Sequence, residues 1–480
     1  MTTFTQPDLM PALPEMVMLG MTCLVLVVDL FLSQEKRGFT LLLTVAALVL
    51  TIFAVLAVAP VGAVSSFGGS FVLDQLAVVL KIATCAIAIL VFVYSRDYLS
   101  DHDIYKGEYY VLGLFATLGM MVMISAHSFL LIYLGLELLS LSLYAMIAFN
   151  RNSLMASESA MKYFVLGAMA SGLLLYGISI FYGITGTLDL NQVAAAVDSQ
   201  MSQHPIALGF ALTFIVVGLS FKLGAVPFHM WLPDVYQGAR TPVTLYLASA
   251  PKLAAFALFF RILIEGLGSL HETWSTMIMF VAVLSIIVGN FVAIAQTNIK
   301  RMLGYSTIAH VGFILLAFYT GTEEGYAAGL FYALTYVVAA AGAFGIVILL
   351  SRRGYDAEHL SDFKGLNARS PWFALMMLFL MFSMAGVPPF VGFLSKLYVI
   401  SAVLDVGATW LAVLMVIASV IGAYYYLRAI WYMYFEDGED QAVLQARGDT
   451  RLVLSLNSVA VLALGVVPGW LLALCVDVLS

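Results

Sequence analysis

The chain has 480 residues, of which 62% are hydrophobic and only 10% are charged. A soluble domain carries about 45–50% apolar and about 25% charged residues, so this composition excludes a soluble protein and indicates an integral membrane protein. The net charge of −7 argues against nucleic acid as a partner, because that partner would need a basic surface.

The sequence contains no pattern that would hold a redox cofactor or a nucleotide. Its three cysteines, Cys23, Cys85 and Cys475, lie far apart in apolar stretches and form no CxxC pair. This spacing argues against an iron–sulfur cluster or a zinc site and favours small apolar packing residues. No glycine-rich phosphate-binding loop is present either. We therefore expect no cofactor and no metal in this chain.

Apolar runs long enough to cross a bilayer follow one another along almost the whole chain. A transmembrane helix needs about 20 apolar residues, within a range of roughly 17–25. The predicted fold class is therefore an all-α polytopic membrane protein. The sequence predicts fourteen spans, numbered in chain order: 13–33, 39–60, 71–94, 109–126, 128–149, 160–183, 206–236, 242–266, 274–297, 301–319, 325–351, 371–401, 405–434 and 452–476.

The basic residues support this number of spans and predict an orientation. Of the 21 Lys and Arg residues, 14 lie in odd-numbered loops between predicted spans, and none lies in an even-numbered loop. Cytoplasmic loops collect Lys and Arg. We therefore expect the odd loops in the cytoplasm and both termini on the periplasmic side of a bacterial inner membrane.

Span 5 carries a carboxylate in the middle of the membrane. Glu137 lies with Tyr133, Ser140 and Tyr144 at helical spacing, so the four side chains share one helix face. A polar stripe on a spanning helix must face protein or water, and an intramembrane charge is a candidate functional residue. An interhelical hydrogen-bond seam is the alternative interpretation.

Two lysines stand beside predicted helix breaks. Lys222 precedes Pro227 in span 7, and Lys396 follows Pro388 in span 12. Because proline removes a backbone donor, Pro227 leaves the carbonyl of Leu223 without its usual partner. A membrane tolerates such a gap only where protein or water satisfies it. Interrupted helices in corresponding positions of two halves indicate a transport site.

Span 8 contains a third intramembrane lysine. Lys252 follows Pro251 well inside the span, so neither membrane interface lies within easy reach. Burial disfavours the ammonium form of a lysine, and a nearby carboxylate restores it. A Glu137–Lys222 pair whose separation changes would therefore switch the lysine between holding and releasing a proton. A static ion pair is the alternative for Lys252.

The spacing of these residues suggests an internal repeat. Lys222 and Lys396 are 174 positions apart, and the same step from Glu137 leads to the neighbour of His310. Spans 4–8 and 9–13 would then form two five-helix repeats, inverted because five is odd. We expect a three-helix segment at 1–107, repeats at 108–268 and 269–436, and a last helix within 437–480. His310 is either a site residue or a packed, hydrogen-bonded histidine.

The sequences around these charges resemble a known family, the antiporter-like membrane subunits of proton-pumping NADH–quinone oxidoreductase (respiratory complex I). The resemblance covers nearly the whole chain and implies a fourteen-helix core with two inverted repeats and broken helices 7 and 12. The family has three sister subunits, and Lys396 with its surroundings favours one of them over a sister that carries a glutamate there. The most specific stretches are YLGLELLSLSLYAMIAF, FKLGAVPFHMWLPDVY, KRMLGYSTIAHVGF, FYALTYVVAAAGAFG and FSMAGVPPFVGFLSKLY.

The resemblance implies a row of proton-translocating residues. Glu137 and Lys222 match the coupling pair of the family, Lys252 matches its central lysine, and Lys396 matches its exit-side lysine.

Further residues match the family at secondary positions of the proton path. Glu158, Lys162 and Asp234 are among them, although a plain stabilising pair of Glu158 with Lys162, four residues on, is an equal alternative. Span 11 has no histidine where some sister subunits carry one, so Tyr332, Tyr336 and water would bridge there, beside His310 in span 10.

The function implied is proton translocation by a non-redox subunit of a translocating NADH:quinone oxidoreductase. FMN, iron–sulfur clusters and quinone are expected in partner subunits. The expected partners are sister antiporter-like subunits, small membrane subunits and lipids. A subunit of an Mrp-type cation/proton antiporter is the alternative, less favoured because buried lysines repel Na⁺. A structural scaffold is a third hypothesis, and four costly mid-membrane charges count against it.

Overall fold

The computed structural model describes residues 8–438, 442–444 and 446–479, and this part of the chain is mainly helical. A short hairpin of β1 (Val64–Ser66) and β2 (Phe71–Leu73) lies between the second and third helices. The α-helices of the described part are α1 Leu13–Asp29, α2 Gly38–Ala57, α3 Gln75–Asp101, α4 Gly107–Ser125, α5 Phe129–Ile147, α6 Leu154–Thr185, α7 Leu190–Gln200, α8 Pro205–Leu223, α9 Trp231–Gly238, α10 Thr241–Ala248, α11 Ala250–Phe259, α12 His271–Ile294, α13 Ile299–Tyr319, α14 Glu323–Leu350, α15 Leu366–Arg369, α16 Pro371–Ala385, α17 Val391–Asp405, α18 Thr409–Phe435, α19 Gly448–Val466 and α20 Gly469–Asp477.

Thirteen helical stretches within the described ranges are long and apolar enough to cross a membrane. They match thirteen of the fourteen predicted spans. The remaining span, predicted at 371–401, consists of α16 and α17, which are 15 residues long each. The prediction of about fourteen spans with span 12 broken is confirmed, and the chain is a multi-pass membrane protein.

Span 7 is broken where the prolines predicted it. α8 ends at Leu223, Gly224 adopts a left-handed conformation with φ of +78°, and α9 begins only at Trp231. The amide of Ala225 donates to the carbonyl of Ser220 at 2.9 Å, which closes the helix end as in a Schellman motif. The first half of span 12 ends in the same way, with Gly386 at φ +85°.

Three spans depart from their predicted form. Span 8 is divided at Ser249, between α10 and α11, and continues as a π-helix at Phe260–Gly266. The last span is divided at Val467, between α19 and α20. A proline follows each division within two residues and cannot supply the amide that a continuous helix needs. Span 3 begins at Gln75 rather than at 71, because Phe71–Leu73 pairs as β2 instead.

The centre of the molecule is formed by spans 8, 10 and 11. Most residues of α11, α13 and α14 are buried, and these helices pack against one another or against α3, α8 and α17. The outer helices carry exposed apolar side chains, such as Phe53 on α2 and Val420 on α18, which suit contact with lipid. Polar groups on the central helices are therefore shielded from lipid.

Close helix contacts recur along the chain with a step of 170 residues. A Cβ atom added to Gly119 would lie 2.6 Å from the amide nitrogen of Leu139, and one added to Gly289 would lie 2.6 Å from that of Ala309. The pair α4–α5 is therefore equivalent to the pair α12–α13.

The loops before and after these helices repeat with the same step. The isolated bridge between Ser128 and Asp189 has its counterpart in the bridge between Asn298 and His359. This step of 170 differs from the 174 positions that separate Lys222 and Lys396. Lys222 precedes its helix break whereas Lys396 follows its own, so the two lysines do not occupy equivalent positions.

Candidate functional site

The polar face of α5 lies against α6 and α8. The Ser171 hydroxyl of α6 is hydrogen-bonded to the carboxylate of Glu137. Lys222 of α8 donates from Nζ to the Ser140 hydroxyl at 2.8 Å, and Ser140 donates to the Leu136 carbonyl at 2.7 Å. The predicted stripe thus faces protein, as a polar stripe on a spanning helix must.

Glu137 and Lys222 do not touch directly. Within the described part of the chain no ion pair of 4.0 Å or less joins them. Lys222 instead reaches α5 one turn beyond Glu137, at Ser140, while Glu137 is held by Ser171. The two charged groups therefore face neighbouring turns of α5, and each is bonded to its own hydroxyl partner rather than to the other. The change in their separation stays a prediction.

Lys252 supplies the hydrogen-bond donor that the backbone loses at the break of span 7. Its Nζ donates to the carbonyl of Leu223, the last residue of α8, at 3.1 Å, and it lies 5.9 Å from the ring centroid of Trp231. The residue is only 4% exposed. The carbonyl predicted to lose its backbone partner is thus satisfied by a lysine from the next span. A helix C-terminus carries partial negative charge, so it is a favourable place for an ammonium group.

Lys396 occupies the equivalent place at the break of span 12. Its Nζ donates to the carbonyl of Ala385, the last residue of α16, at 2.9 Å, and it lies 5.6 Å from the ring centroid of Phe313. A Cβ atom at Gly386 would come within 3.0 Å of its Cδ and 3.2 Å of its Nζ. The glycine is therefore needed both for its positive φ and for the close approach of the lysine.

His310 lies between two tyrosine hydroxyls. Nδ1 is 2.7 Å from the hydroxyl of Tyr332 on α14, and Nε2 is 2.9 Å from that of Tyr426 on α18. Tyr426 is also hydrogen-bonded to Ser306. Tyr336 donates instead to the Thr307 hydroxyl at 2.8 Å, beside the histidine ring.

Small cavities adjoin this histidine. One of 20 Å³, lined by His310, Tyr332, Tyr336, Ser383 and Ser395, has room for about one water molecule. A second is lined by His310, Tyr426 and Lys396, so histidine and lysine face the same space. His310 therefore belongs to the same polar cluster as Lys396.

The remaining predicted residues form a separate cluster at one membrane face. Lys162 Nζ lies 2.9 Å from Glu158 and 3.1 Å from Asp234, and Arg301 Nη1 lies 2.7 Å from Asp234. The Asp234 carboxylate thus accepts hydrogen bonds from two cationic side chains, Arg301 and Lys162. The expected Glu158–Lys162 pair is present, and Asp234 joins it to span 10.

Sequence reasoning missed two buried ion pairs. The side chain of Arg261 is only 1% exposed, and it pairs with Asp74 at 2.7 Å and with Glu265. Lys81 of α3 lies 2.6 Å from Glu15 of α1. Glu265 follows Arg261 by one helical turn and was a readable signal, whereas nothing in the sequence connects Lys81 with Glu15.

Sequence reasoning also missed two tyrosines, Tyr425 and Tyr426, beside the polar cluster of His310 and Lys396. Tyr426 bonds to His310, and the neighbouring Tyr425 donates to the Asn290 amide oxygen at 3.2 Å. The aromatic run AYYYLRAIWYMY in span 13 was the available signal. Among the described residues, no group of three or more His, Cys, Asp or Glu side chains is placed to hold a metal ion.

Broken membrane helices whose ends hold buried lysines define the class of the protein as a multi-pass transport subunit of the antiporter-like type. The family model described as "NADH:quinone oxidoreductase/Mrp antiporter, TM" matches residues 126–422. The protein named NADH-quinone oxidoreductase subunit N in Thioalkalivibrio sulfidiphilus is 57% identical over 478 residues, covering 100% of each chain.

Solved structures share the fold over almost the full length. A chain of respiratory complex I from Thermus thermophilus with bound aureothin has a TM-score of 0.82 and 32% identity, covering 96% of this chain and 98% of that one. A chain of the Mrp complex from Dietzia sp. DQ12-45-1b has a TM-score of 0.83 at 21% identity, covering 98% and 96%. The chain belongs to the NADH-quinone oxidoreductase subunit N family, which confirms the predicted resemblance and the sister type.

Proposed function

We propose that this chain translocates protons as a membrane subunit of an NADH–quinone oxidoreductase and carries no redox centre itself. The observation that supports this most is a device repeated at the two helix breaks, namely a buried lysine hydrogen-bonded to the last carbonyl of the helix before the break. Lys252 is held on the last carbonyl of α8, and Lys396 is held on the last carbonyl of α16. A static scaffold has no need of two such costly charges in the membrane interior.

The device suits a proton that is held and then released. An ammonium group is favoured at the negative end of a helix, and a movement away from that carbonyl removes the stabilisation. Lys222 precedes Leu223, whose carbonyl holds Lys252, so a charge on one lysine disfavours a charge on the other. A change at Glu137 that draws Lys222 toward α5 would thereby alter the state of Lys252.

The energy must come from outside the chain. Moving one elementary charge against 100 mV costs about 2.3 kcal/mol, and we place FMN, iron–sulfur clusters and quinone in partner subunits. In this proposal the chain is the non-redox, translocating part of the enzyme. The residues that we assign to the path are Glu137, Lys222, Lys252 and Lys396, with Glu158, Lys162, Asp234, His310, Tyr332 and Tyr336 in secondary positions.

The test is proton pumping by the assembled complex carrying Lys222→Ala, Lys252→Met or Lys396→Met. The ratio of protons moved to NADH oxidised is measured in proteoliposomes, and Lys36→Gln, in an exposed loop, is the control. We expect a lower ratio for each of the three variants and an unchanged ratio for the control. An unchanged ratio in all of them would support the scaffold hypothesis instead.

The Mrp-type antiporter is the second candidate, because a chain of an Mrp complex shares the fold. The two are separated by extracting the protein gently from its native membrane and assaying the native assembly. A very large assembly with flavin, iron–sulfur signal and NADH oxidation supports the first proposal. A smaller assembly without redox activity, and with Na⁺/H⁺ exchange in vesicles, would overturn it.

We further propose a location in the bacterial inner membrane, with odd loops cytoplasmic, termini periplasmic, and sister antiporter-like subunits, small membrane subunits and lipids as neighbours. The contacts repeated at a step of 170 support repeats at 108–268 and 269–436. Cysteines introduced at Lys36 and at Gly62, on successive loops, should be labelled from opposite sides of the membrane. Labelling from one side only would contradict this topology.

A further inference from the structure

A cleft of about 600 Å³ opens at the membrane face that carries the odd-numbered loops. It lies between the end of α1, the start of α4 and the end of α5, away from the lysine row. Its basic residues come from three different loops: Arg37, Lys106 and Arg151. Its walls are apolar and include Leu26, Leu30, Leu112 and Phe149, and Leu30 is 76% exposed.

The charges in this cleft are unevenly satisfied. Asp29 is occupied within the protein, because it pairs with Arg37, accepts from Thr40 at 2.7 Å and packs against Gly107. Lys106 and Arg151 form no ion pair with any residue in the described ranges, and Glu108 is the remaining acidic group in the cleft. The cleft therefore keeps a surplus of positive charge.

A second observation concerns the guanidinium of Arg37, which lines the cleft. The Nε of Arg37 is buried and has no hydrogen-bond partner among the described residues. An unsatisfied buried donor of this kind is costly, and it is normally met by water or by a bound group. Arg37 lines the cleft, so an anionic group bound there would lie beside this guanidinium, whose other side is paired with Asp29.

We propose that this cleft binds one anionic phospholipid, with its phosphate between Arg37, Lys106 and Arg151 and its acyl chains along Leu26 and Leu112. Basic pockets between spanning helices bind anionic head groups, and here the apolar walls continue from the charges toward lipid. The small-residue position Ala145 lies in the cleft wall and is exposed, so it controls how much room the head group has.

The experiment uses the assembled complex, stripped of lipid in detergent and titrated with phosphatidylglycerol, with bound lipid counted by native mass spectrometry. The charge variant is Lys106→Gln/Arg151→Gln, and the steric variant is Ala145→Trp. The matched control is Lys36→Gln/Arg353→Gln, which removes two charges in odd loops outside the cleft. All four charged residues are exposed, so assembly should be retained.

We expect the charge variant to lose one bound phosphatidylglycerol, with affinity about fivefold weaker per charge and about 25-fold weaker for two. The steric variant should lose the same lipid, and the control should keep it. Equal retention in all three would overturn the proposal. Equal binding of phosphatidylcholine would overturn the anionic preference, and equal binding of glycerophosphoglycerol would show a free phosphate site rather than a lipid site. Cross-linking of Leu112→Cys to a protein subunit rather than to lipid would also overturn it.

Discussion

The substitution Gly386→Ala is expected to loosen the hold of α16 on the Lys396 ammonium. At φ +85°, an alanine costs about 1–2 kcal/mol. Its Cβ would also stand 3.0 Å from Lys396 Cδ and 3.2 Å from Nζ, and the flexible lysine gives way more easily than the backbone. The bond from Nζ to the Ala385 carbonyl, now 2.9 Å, then lengthens beyond a good hydrogen bond.

The size of the effect follows from the bond that is lost. A hydrogen bond made by a charged group contributes about 1.5–3 kcal/mol, so the population of the held lysine falls by about tenfold to a hundredfold. Under the proposed function, the variant complex still oxidises NADH but moves fewer protons for each NADH oxidised. The assay is the pH change in proteoliposomes divided by the NADH consumed.

The chain offers a matched control in Gly407→Ala. Gly407 follows α17 with φ of +79°, so the backbone cost of alanine is the same, but no atom of the described residues lies within 4 Å of the added Cβ. This variant should therefore keep the wild-type ratio of protons to NADH. If both variants lower that ratio equally, or if neither does, the contact of Lys396 with the helix end has no part in translocation.

Three further outcomes test the packing around the site. Asp356→Asn should weaken the contact of α3 with the loop after α14: burial alone would raise the pKa of Asp356, but hydrogen bonds from His102 and Tyr98 lower it to about 2. The carboxylate therefore adds about 2 kcal/mol to the free energy of unfolding above pH ~4, and this contribution is lost as the pH falls toward the folded pKa. Acid unfolding curves of wild type and variant should converge at that pH. Parallel curves would contradict this reasoning. Lys81→Met should lower the free energy of unfolding by about 3–5 kcal/mol, because it leaves the buried Glu15 without its ion-pair partner. The double variant Lys81→Met/Glu15→Leu should recover most of this loss in thermal unfolding. No recovery would mean that packing rather than charge dominates. Gly119→Ala should lower the yield of assembled complex, since its Cβ would lie 2.6 Å from a backbone nitrogen of α5. Gly172→Ala should be tolerated, because its Cβ would have no neighbour within 4 Å in the part of the chain that the structure describes. Equal yields would refute the close approach of α4 to α5.

The spans and the two breaks could be predicted because they depend on local rules. Apolar length fixes a membrane helix, and a proline removes a particular amide, so the carbonyl of Leu223 was identified as unsatisfied from the sequence alone. Its new partner could not be predicted, since Lys252 is 29 residues away and the contact depends on how α8 packs against α11. The same limit applies to Glu15 and Lys81, which meet only because α1 and α3 both pack against α2 and α4.

The arrangement of Glu137 and Lys222 shows a different limit of sequence reasoning. Both charges were identified, and both lie at the junction of α5, α6 and α8, but each is bonded to a serine rather than to the other. Helical spacing shows which residues share a face, and it does not decide between hydroxyl and carboxylate partners on that face. Arg261 combines both cases, because its partner Glu265 lies one helical turn away in the sequence whereas its partner Asp74 lies 187 residues away.

The step of 170 residues pairs side chains of different chemistry in the two halves of the site. With this step, Ser140 corresponds to His310 and Glu137 corresponds to Thr307. In the first half Ser140 accepts from a lysine, whereas in the second half the histidine lies between the hydroxyls of Tyr332 and Tyr426. An imidazole can take a proton on one nitrogen and give one from the other, which a hydrogen bond from a lysine to a serine hydroxyl cannot do without a change of charge.

What the halves share is therefore not the acidic residue but the end of the broken helix. α8 and α16 each finish on a left-handed glycine, and each offers its last carbonyl to a buried lysine. The donor comes from the next span in the first half and from the second part of the same span in the second half. Since the acceptor is a backbone group, no side-chain substitution removes it directly, and the glycines that shape it become the positions at which the device can be tested separately from the lysines.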